Sequence, residues 1–94
     1  MPYNRSVVRK MLMAAFNDED LRTFCFDHFR PVYDEFTSGQ PRGERVRMLV
    51  EYAERQGKLD TLVDTVRREN EYQYAAFAAQ LTQANLLVQA GVNP

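Results

Sequence analysis

Little in this sequence is available to staple a fold or to build a metal site. One cysteine, Cys25, can form no internal disulfide, and one histidine, His28, leaves no ligand set for zinc. No stretch approaches the ~20 consecutive apolar residues that span a bilayer, and Met1 to Lys10 lacks an apolar core of the signal-peptide kind. The expectation is a cytoplasmic protein, held together by packing, that does not enter membranes. Neither sign of charge dominates. The 12 Lys and Arg stand against 13 Asp and Glu, a net charge of −1, so no bulk attraction to nucleic acid or anionic lipid is expected. Gly-x-Ser-x-Gly elbows, Walker A loops and dinucleotide glycine fingerprints are missing as well. The sequence therefore points away from an enzyme, and no cofactor or metal is expected.

What is present is a chain of 94 residues, 45% hydrophobic and 27% charged, the composition of an ordinary globular domain. A chain of this length forms one domain, residues 1–94, and buries something over ~60% of its unfolded surface. Apolar residues recur at helical spacing in six segments, and no segment sustains period-two alternation. The class is all-α.

The first helix covers about residues 5–16, with Asn4 as its cap and Val8, Met11, Leu12, Ala15 and Phe16 on one face. Asn17-Asp18-Glu19-Asp20 starts a second helix, about 18–30, because short polar and acidic side chains satisfy and complement free N–H groups. Its inward stripe is Leu21, Phe24, Cys25, His28 and Phe29. Pro31 ends that helix and opens a short third one, about 31–36, with Val32, Tyr33 and Phe36. A loop, Thr37-Ser38-Gly39-Gln40-Pro41, precedes the fourth helix, about 42–56, whose inward residues are Val46, Leu49, Val50 and Ala53 and whose left-handed cap is Gly57. The fifth helix, about 59–69, turns Leu59, Leu62, Val63 and Val66 inward. Asn70 and Gln73 form a capping pair for a sixth, about 71–90, with stripe Tyr74, Phe77, Ala78, Leu81, Ala84 and Val88 before Gly91 stops it. Six short helices on short connections give a compact, mostly antiparallel bundle.

Two stretches carry a family resemblance. Asp18-Glu19-Asp20-Leu21-Arg22-Thr23-Phe24-Cys25-Phe26-Asp27-His28-Phe29, continuing through Tyr33 and Phe36, resembles the front half of the bacterial effector-associated domains. Glu44 to Leu59, with its Arg55-Gln56-Gly57-Lys58-Leu59 junction, and onward through Leu62 and Val66 to Glu69-Asn70, resembles the back half. Those domains are similar to the death-fold superfamily, including CARD-like modules of bacterial defence systems. The resemblance implies a six-helix Greek-key bundle that joins proteins through homotypic contacts, fused to or paired with an effector such as a protease or an ATPase. No effector segment lies in these 94 residues, which fits a stand-alone adaptor or a piece of something longer.

The charges are unevenly divided. Residues 1–16 carry three basic and no acidic residues, whereas residues 17–36 carry six acidic and two basic, +3 against −4. Helices 1 and 4 offer Arg5, Arg9, Lys10, Arg42, Arg45 and Arg47; helices 2 and 3 offer Asp18, Glu19, Asp20, Asp34 and Glu35. The resemblance implies that helices 1 and 4 of one subunit face helices 2 and 3 of the next, so these residues are the expected interface. The bland reading of Asp18 to Asp20 is a favourable helix start. Arg42 and Arg45 instead put cations near a helix N-terminus, where they cost a few tenths of a kcal/mol, with no compensation visible in the sequence.

Phe26 falls off the inward stripe of its helix and is a further candidate contact. Residues 72–94 hold no charged side chain, and Tyr72, Ala75, Ala76, Ala79, Leu86 and Leu87 form a second apolar set on the sixth helix, either packed within the bundle or offered to a partner. The expected partner is a second copy or another death-fold-like domain. The competing reading of Arg42, Arg45 and Arg47 is a small helical DNA-binding regulator, but Glu44, Glu51 and Glu54 interrupt that basic face. A nucleophile and base from Cys25 and His28, three apart, is opposed by their place on an apolar stripe, which suits a buried thiol beside a hydrogen-bonded core histidine.

Overall fold

A computed structural model describes the backbone of residues 3–92 and the side chains of residues 3–81. Among the described residues there are six helices and no strand: α1 Arg5–Ala15, α2 Asp18–His28, α3 Arg30–Tyr33, α4 Arg42–Arg55, α5 Leu59–Glu69 and α6 Glu71–Val92. The expected bundle is the fold, and its caps explain its boundaries. The Asn4 and Asn17 carboxamide oxygens accept from the Val7 and Asp20 N–H groups at 3.2 and 2.7 Å, starting α1 and α2. Asn70 uses both ends of its amide. Its oxygen accepts from the Gln73 N–H at 3.2 Å to start α6, and its Nδ2 donates to the Ala15 carbonyl at 2.9 Å to close the end of α1.

Gly57, at φ +67°, ends α4 in a Schellman motif. The Lys58 N–H donates to the Ala53 carbonyl at 2.7 Å and the Gly57 N–H to the Glu54 carbonyl at 3.2 Å, satisfying two carbonyls the helix leaves free.

α1 lies at the centre, packed against α4, α5 and α6. Its direction follows from its end contacts. Arg5 Nη1 meets Glu54 Oε1 near the end of α4 at 3.1 Å, while Arg42 at the start of α4 reaches the carbonyls that close α1, so the two helices run antiparallel. The Asn4 N–H donates to the Leu81 carbonyl at 2.9 Å and Asn70 holds the other end, which makes α6 antiparallel to α1 as well. The core collects the predicted stripes: Val8, Met11, Leu12, Leu21, Phe24, Cys25, Val32, Val46, Leu49, Val50, Ala53, Leu62, Val63, Val66 and Leu81 are buried. Complete burial of one such leucine stabilises the fold by ~1.5 to 3 kcal/mol. Phe16 and Phe24, ring centroids 4.7 Å apart, join the end of α1 to the middle of α2.

Three expected boundaries are corrected. α2 ends at His28, not at 30, because Pro31 has no N–H to continue the ladder and its ring would strike the Asp27 carbonyl. The break falls at Phe29 (φ −138°, ψ 57°), and α3 takes up Arg30 with Pro31 in its first turn but ends at Tyr33 rather than 36. α6 runs on through Gly91 to Val92, since glycine weakens a helix interior without forbidding it.

Candidate interaction surfaces

The charged residues read from the sequence as one interface divide into two kinds. Arg45 is buried, 6% exposed. Its Nη1 donates to the Asp18 carboxylate oxygens at 3.0 and 3.2 Å, its Nη2 donates to the Thr37 carbonyl at 2.7 Å, and its guanidinium lies 5.1 Å from the Phe36 ring centre. Arg42 is half-buried, and its Nη1 donates to the Met13 and Phe16 carbonyls at 2.9 and 2.6 Å. These two cations therefore complement the free carbonyls of α1 and an α2 carboxylate. The missing compensation at the start of α4 lies inside the molecule. The reading of Arg45 as a surface contact is corrected accordingly, since a side chain engaged this deeply is not offered to a partner.

Asp18 is half-exposed at 50% and also faces Arg22 at 3.8 Å, so it belongs mainly to this internal tie. Asp34 pairs with Arg30 at 3.2 Å on the same surface, and Arg5 pairs with Glu54. Arg9, Lys10 and Arg47 are exposed on α1 and α4; Glu19, Asp20 and Glu35 are exposed on α2 and just past α3. These six charges remain at the surface, Arg9 and Lys10 on a helix with no acidic residue and Arg47 among the exposed Glu44, Glu51 and Glu54 of α4.

Two apolar features accompany them. Phe26 is 46% exposed; its ring stands edge-on to Tyr33 at 5.1 Å, with the Arg30 guanidinium 4.3 Å from its centre. Between α1 and α4 runs an open, mainly apolar groove of about 530 Å³, lined by Met13, Ala14, Gly43 and Val46 together with Ser6, Arg9 and Lys10. This groove arises only where two helices meet and has no signature within either one. On α6, Tyr72, Ala75, Ala76 and Ala79 are exposed, so this part of the second apolar set is not packed within the bundle. Leu86 and Leu87 lie outside the described side chains.

Catalytic chemistry finds no support in the placement of Cys25 and His28. Cys25 is fully buried, and burial pushes its thiol from 9.0 up to about 12, which suppresses the thiolate a nucleophile needs. His28 is a correction: it is exposed at the end of α2, its ring tilted over Phe24 at 5.2 Å and its Nε2 3.5 Å from Glu69 Oε2. His28 stands at the margin of its stripe and looks out, while Cys25 before it and Phe29 after it stay in the core. A basic reading face is equally absent from α4, where Arg42 and Arg45 turn inward and leave Arg47 exposed beside Glu44 and Glu51. No group of three or more His, Cys, Asp or Glu side chains capable of holding a metal ion occurs among the described residues. No helix there is long and apolar enough to cross a membrane.

No curated protein and no solved structure matches the chain. The sequence profile of effector-associated domain 7 matches residues 8–70, two-thirds of the length and both stretches that carry the resemblance. An effector-associated domain is an adaptor-like module linked to effectors, and this chain belongs to the effector-associated domain 7 family.

Proposed function

We propose that the 94 residues act as one non-enzymatic, homotypic interaction module of the death-fold, CARD-like kind. The module self-associates, or binds a like-folded domain fused to a protease or ATPase, and so brings that effector together in bacterial immunity or programmed cell death in the cytoplasm. The observation that carries this reading is the opposition of exposed charge on a family-assigned effector-associated bundle: Arg9 and Lys10 on α1, a helix with no acidic residue, against Glu19, Asp20 and Glu35 around α2 and α3. A surface divided in this way attracts a second copy in one orientation and repels it in others. Exposed pairs of this kind are screened within ~10 Å at moderate salt.

Sedimentation velocity of the purified chain tests the self-association arm. The weight-average sedimentation coefficient should rise with protein concentration at low salt and fall back toward the monomer value as salt is added. A chain that stays monomeric at every concentration in low salt removes the homotypic reading.

A further inference from the structure

The α1–α4 groove has two ends of different chemistry. Met13 and Ala14 near the end of α1 meet Gly43 and Val46 at the start of α4 and make one end apolar, while Ser6, Arg9 and Lys10, nearer the start of α1, make the other polar and basic. At 1.5 Å of rise per residue, Arg9 and Lys10 lie one helical turn, ~6 Å, from Met13 and Ala14. The apolar end is held in shape by Arg42, whose bonds to the Met13 and Phe16 carbonyls at 2.9 and 2.6 Å fix the end of α1 against the start of α4.

Gly43 keeps that end open. It has no positive φ, and a Cβ built there meets no atom within 4 Å, so neither backbone nor packing calls for glycine. Glycine at a helical position destabilises the fold relative to alanine. A local preference set aside with nothing gained inside the molecule points outward. The basic end is equally unanswered. No acidic residue lies on α1, and among the described residues neither Arg9 nor Lys10 enters an ion pair, whereas Arg5 on the same helix pairs with Glu54.

We infer that this groove receives a short helical segment of a partner protein, presenting a large apolar side chain and a carboxylate one turn apart on one face. The apolar group enters beside Gly43 and the carboxylate meets Arg9 and Lys10. The charge of the groove selects the carboxylate, and its open form selects a segment: a small ligand is held by enclosure on most sides, whereas a helix laid in a groove keeps its other face in water. An anionic bilayer is opposed by Glu44, Glu51 and Glu54, exposed on α4. This chain does not supply the segment. Its large exposed hydrophobes among the described residues are Phe26 and Tyr72. Phe26 has Arg22 four residues before it and Arg30 four after, which would bring like charge to Arg9 and Lys10; residues 72–94 hold no charged side chain, so Tyr72 has no carboxylate one turn on. The inference goes beyond self-association and is tested apart from it.

The probe is a displayed library of random peptides of three turns, ~11 residues, selected on the immobilised parent chain and then measured singly by fluorescence anisotropy. Selection should enrich a large apolar residue three or four positions from Asp or Glu. The selected peptides should bind Gly43→Gln, which fills the apolar end, and the Arg9→Gln, Lys10→Gln double variant about tenfold more weakly or worse, and Gly43→Ala close to the parent. Circular-dichroism melting should find every variant folded, since positions 9, 10 and 43 are exposed. Enriched sequences without the acidic position, peptides that bind Gly43→Gln as well as the parent, or a library that enriches nothing overturn the inference. A parent chain that binds laurate or phosphatidylglycerol vesicles and no peptide overturns it as well. Self-association, read by sedimentation velocity without peptide, stands or falls separately: it can be absent while the peptides bind and present while they do not.

Discussion

Arg45 and Asp18, 27 positions apart, form a two-oxygen ion pair that ties the first turn of α4 to the first turn of α2. The same guanidinium holds the Thr37 carbonyl, so one side chain fixes the α3–α4 loop and the start of α2 together. Its 7% side-chain exposure against 50% for Asp18 makes the pair asymmetric, with the cation dry and the carboxylate half in water.

Removing Arg45 should therefore be expensive, though less so than breaking a fully buried pair, for which ~3 to 5 kcal/mol is usual. Arg45→Ala is expected to destabilise the fold by about 2 to 4 kcal/mol, combining lost charged hydrogen bonds with lost packing of the arginine stem. Asp18→Ala should cost less, and the double variant less than the sum, because the two groups are coupled. Urea unfolding of the three variants measures this; additive losses would mean that the pair contributes nothing as a pair.

The caps and stripes were legible because they depend on neighbours within four residues. Asn4, Asn17, Asn70 and Gly57 each do what their local sequence requires, and Leu49, Leu62 and Val66 are buried where helical spacing puts them. Arg45 was not legible, because charge pattern alone assigns an arginine to the surface and its partners lie on other elements. One signal was present: Arg45, Leu49 and Ala53 are spaced by four, which sets the arginine on the inward stripe. His28 shows the opposite failure. It holds the stripe's spacing but stands at the margin of the buried face, beside Glu69 on α5, while its neighbour Phe29 takes the inward place.

Gly43 supplies a prediction about stability separate from binding. Its conformation suits an L side chain and nothing obstructs a Cβ, so Gly43→Ala should stabilise the fold by about 0.5 to 1 kcal/mol. In a chain of this size that raises the melting temperature by several degrees. A lower melting temperature would show that position 43 makes a backbone demand that its φ does not reveal.

Cys25 should be inert in the native protein and should make stability fall at high pH. Its thiol is raised from 9.0 to about 12 by burial, so between those values the unfolded chain gives up its proton while the folded chain keeps it. The unfolded state then binds fewer protons, and the contribution of Cys25 to stability, complete below pH 9.0, declines as pH rises toward about 12. Cys25→Ala should flatten that part of the stability curve relative to the parent. Labelling of the native thiol at neutral pH should be slow and should accelerate only in denaturant; equal rates in both conditions would place Cys25 at the surface.

The charge-paired interface is tested cleanly only with charges the fold does not use. Reversing Arg45 or Asp18 breaks the internal tie, and reversing Arg42 abandons the Met13 and Phe16 carbonyls, so loss of assembly in those variants would report unfolding as readily as a lost contact. Arg9 and Lys10 are exposed on α1 and can be changed to Glu; Glu19 and Asp20 are exposed on α2 and can be changed to Lys. The first pair should shift stability by no more than about 0.5 kcal/mol, as surface changes do. The second exchanges favourable for unfavourable charge at a helix start and should cost up to about 1 kcal/mol per residue. Each double variant alone should remain monomeric at low salt, since it presents like charge to like charge. Mixed together, they should form a complex, because the basic α2 of one meets the acidic α1 of the other, and that complex should weaken with salt as the parent's does. Static light scattering of the separate and mixed solutions gives the answer. Assembly that persists in either variant alone, or a mixture that stays monomeric, would show that the segregated charges do not form the contact and would leave the exposed face of α6 around Tyr72 as the surface to test next.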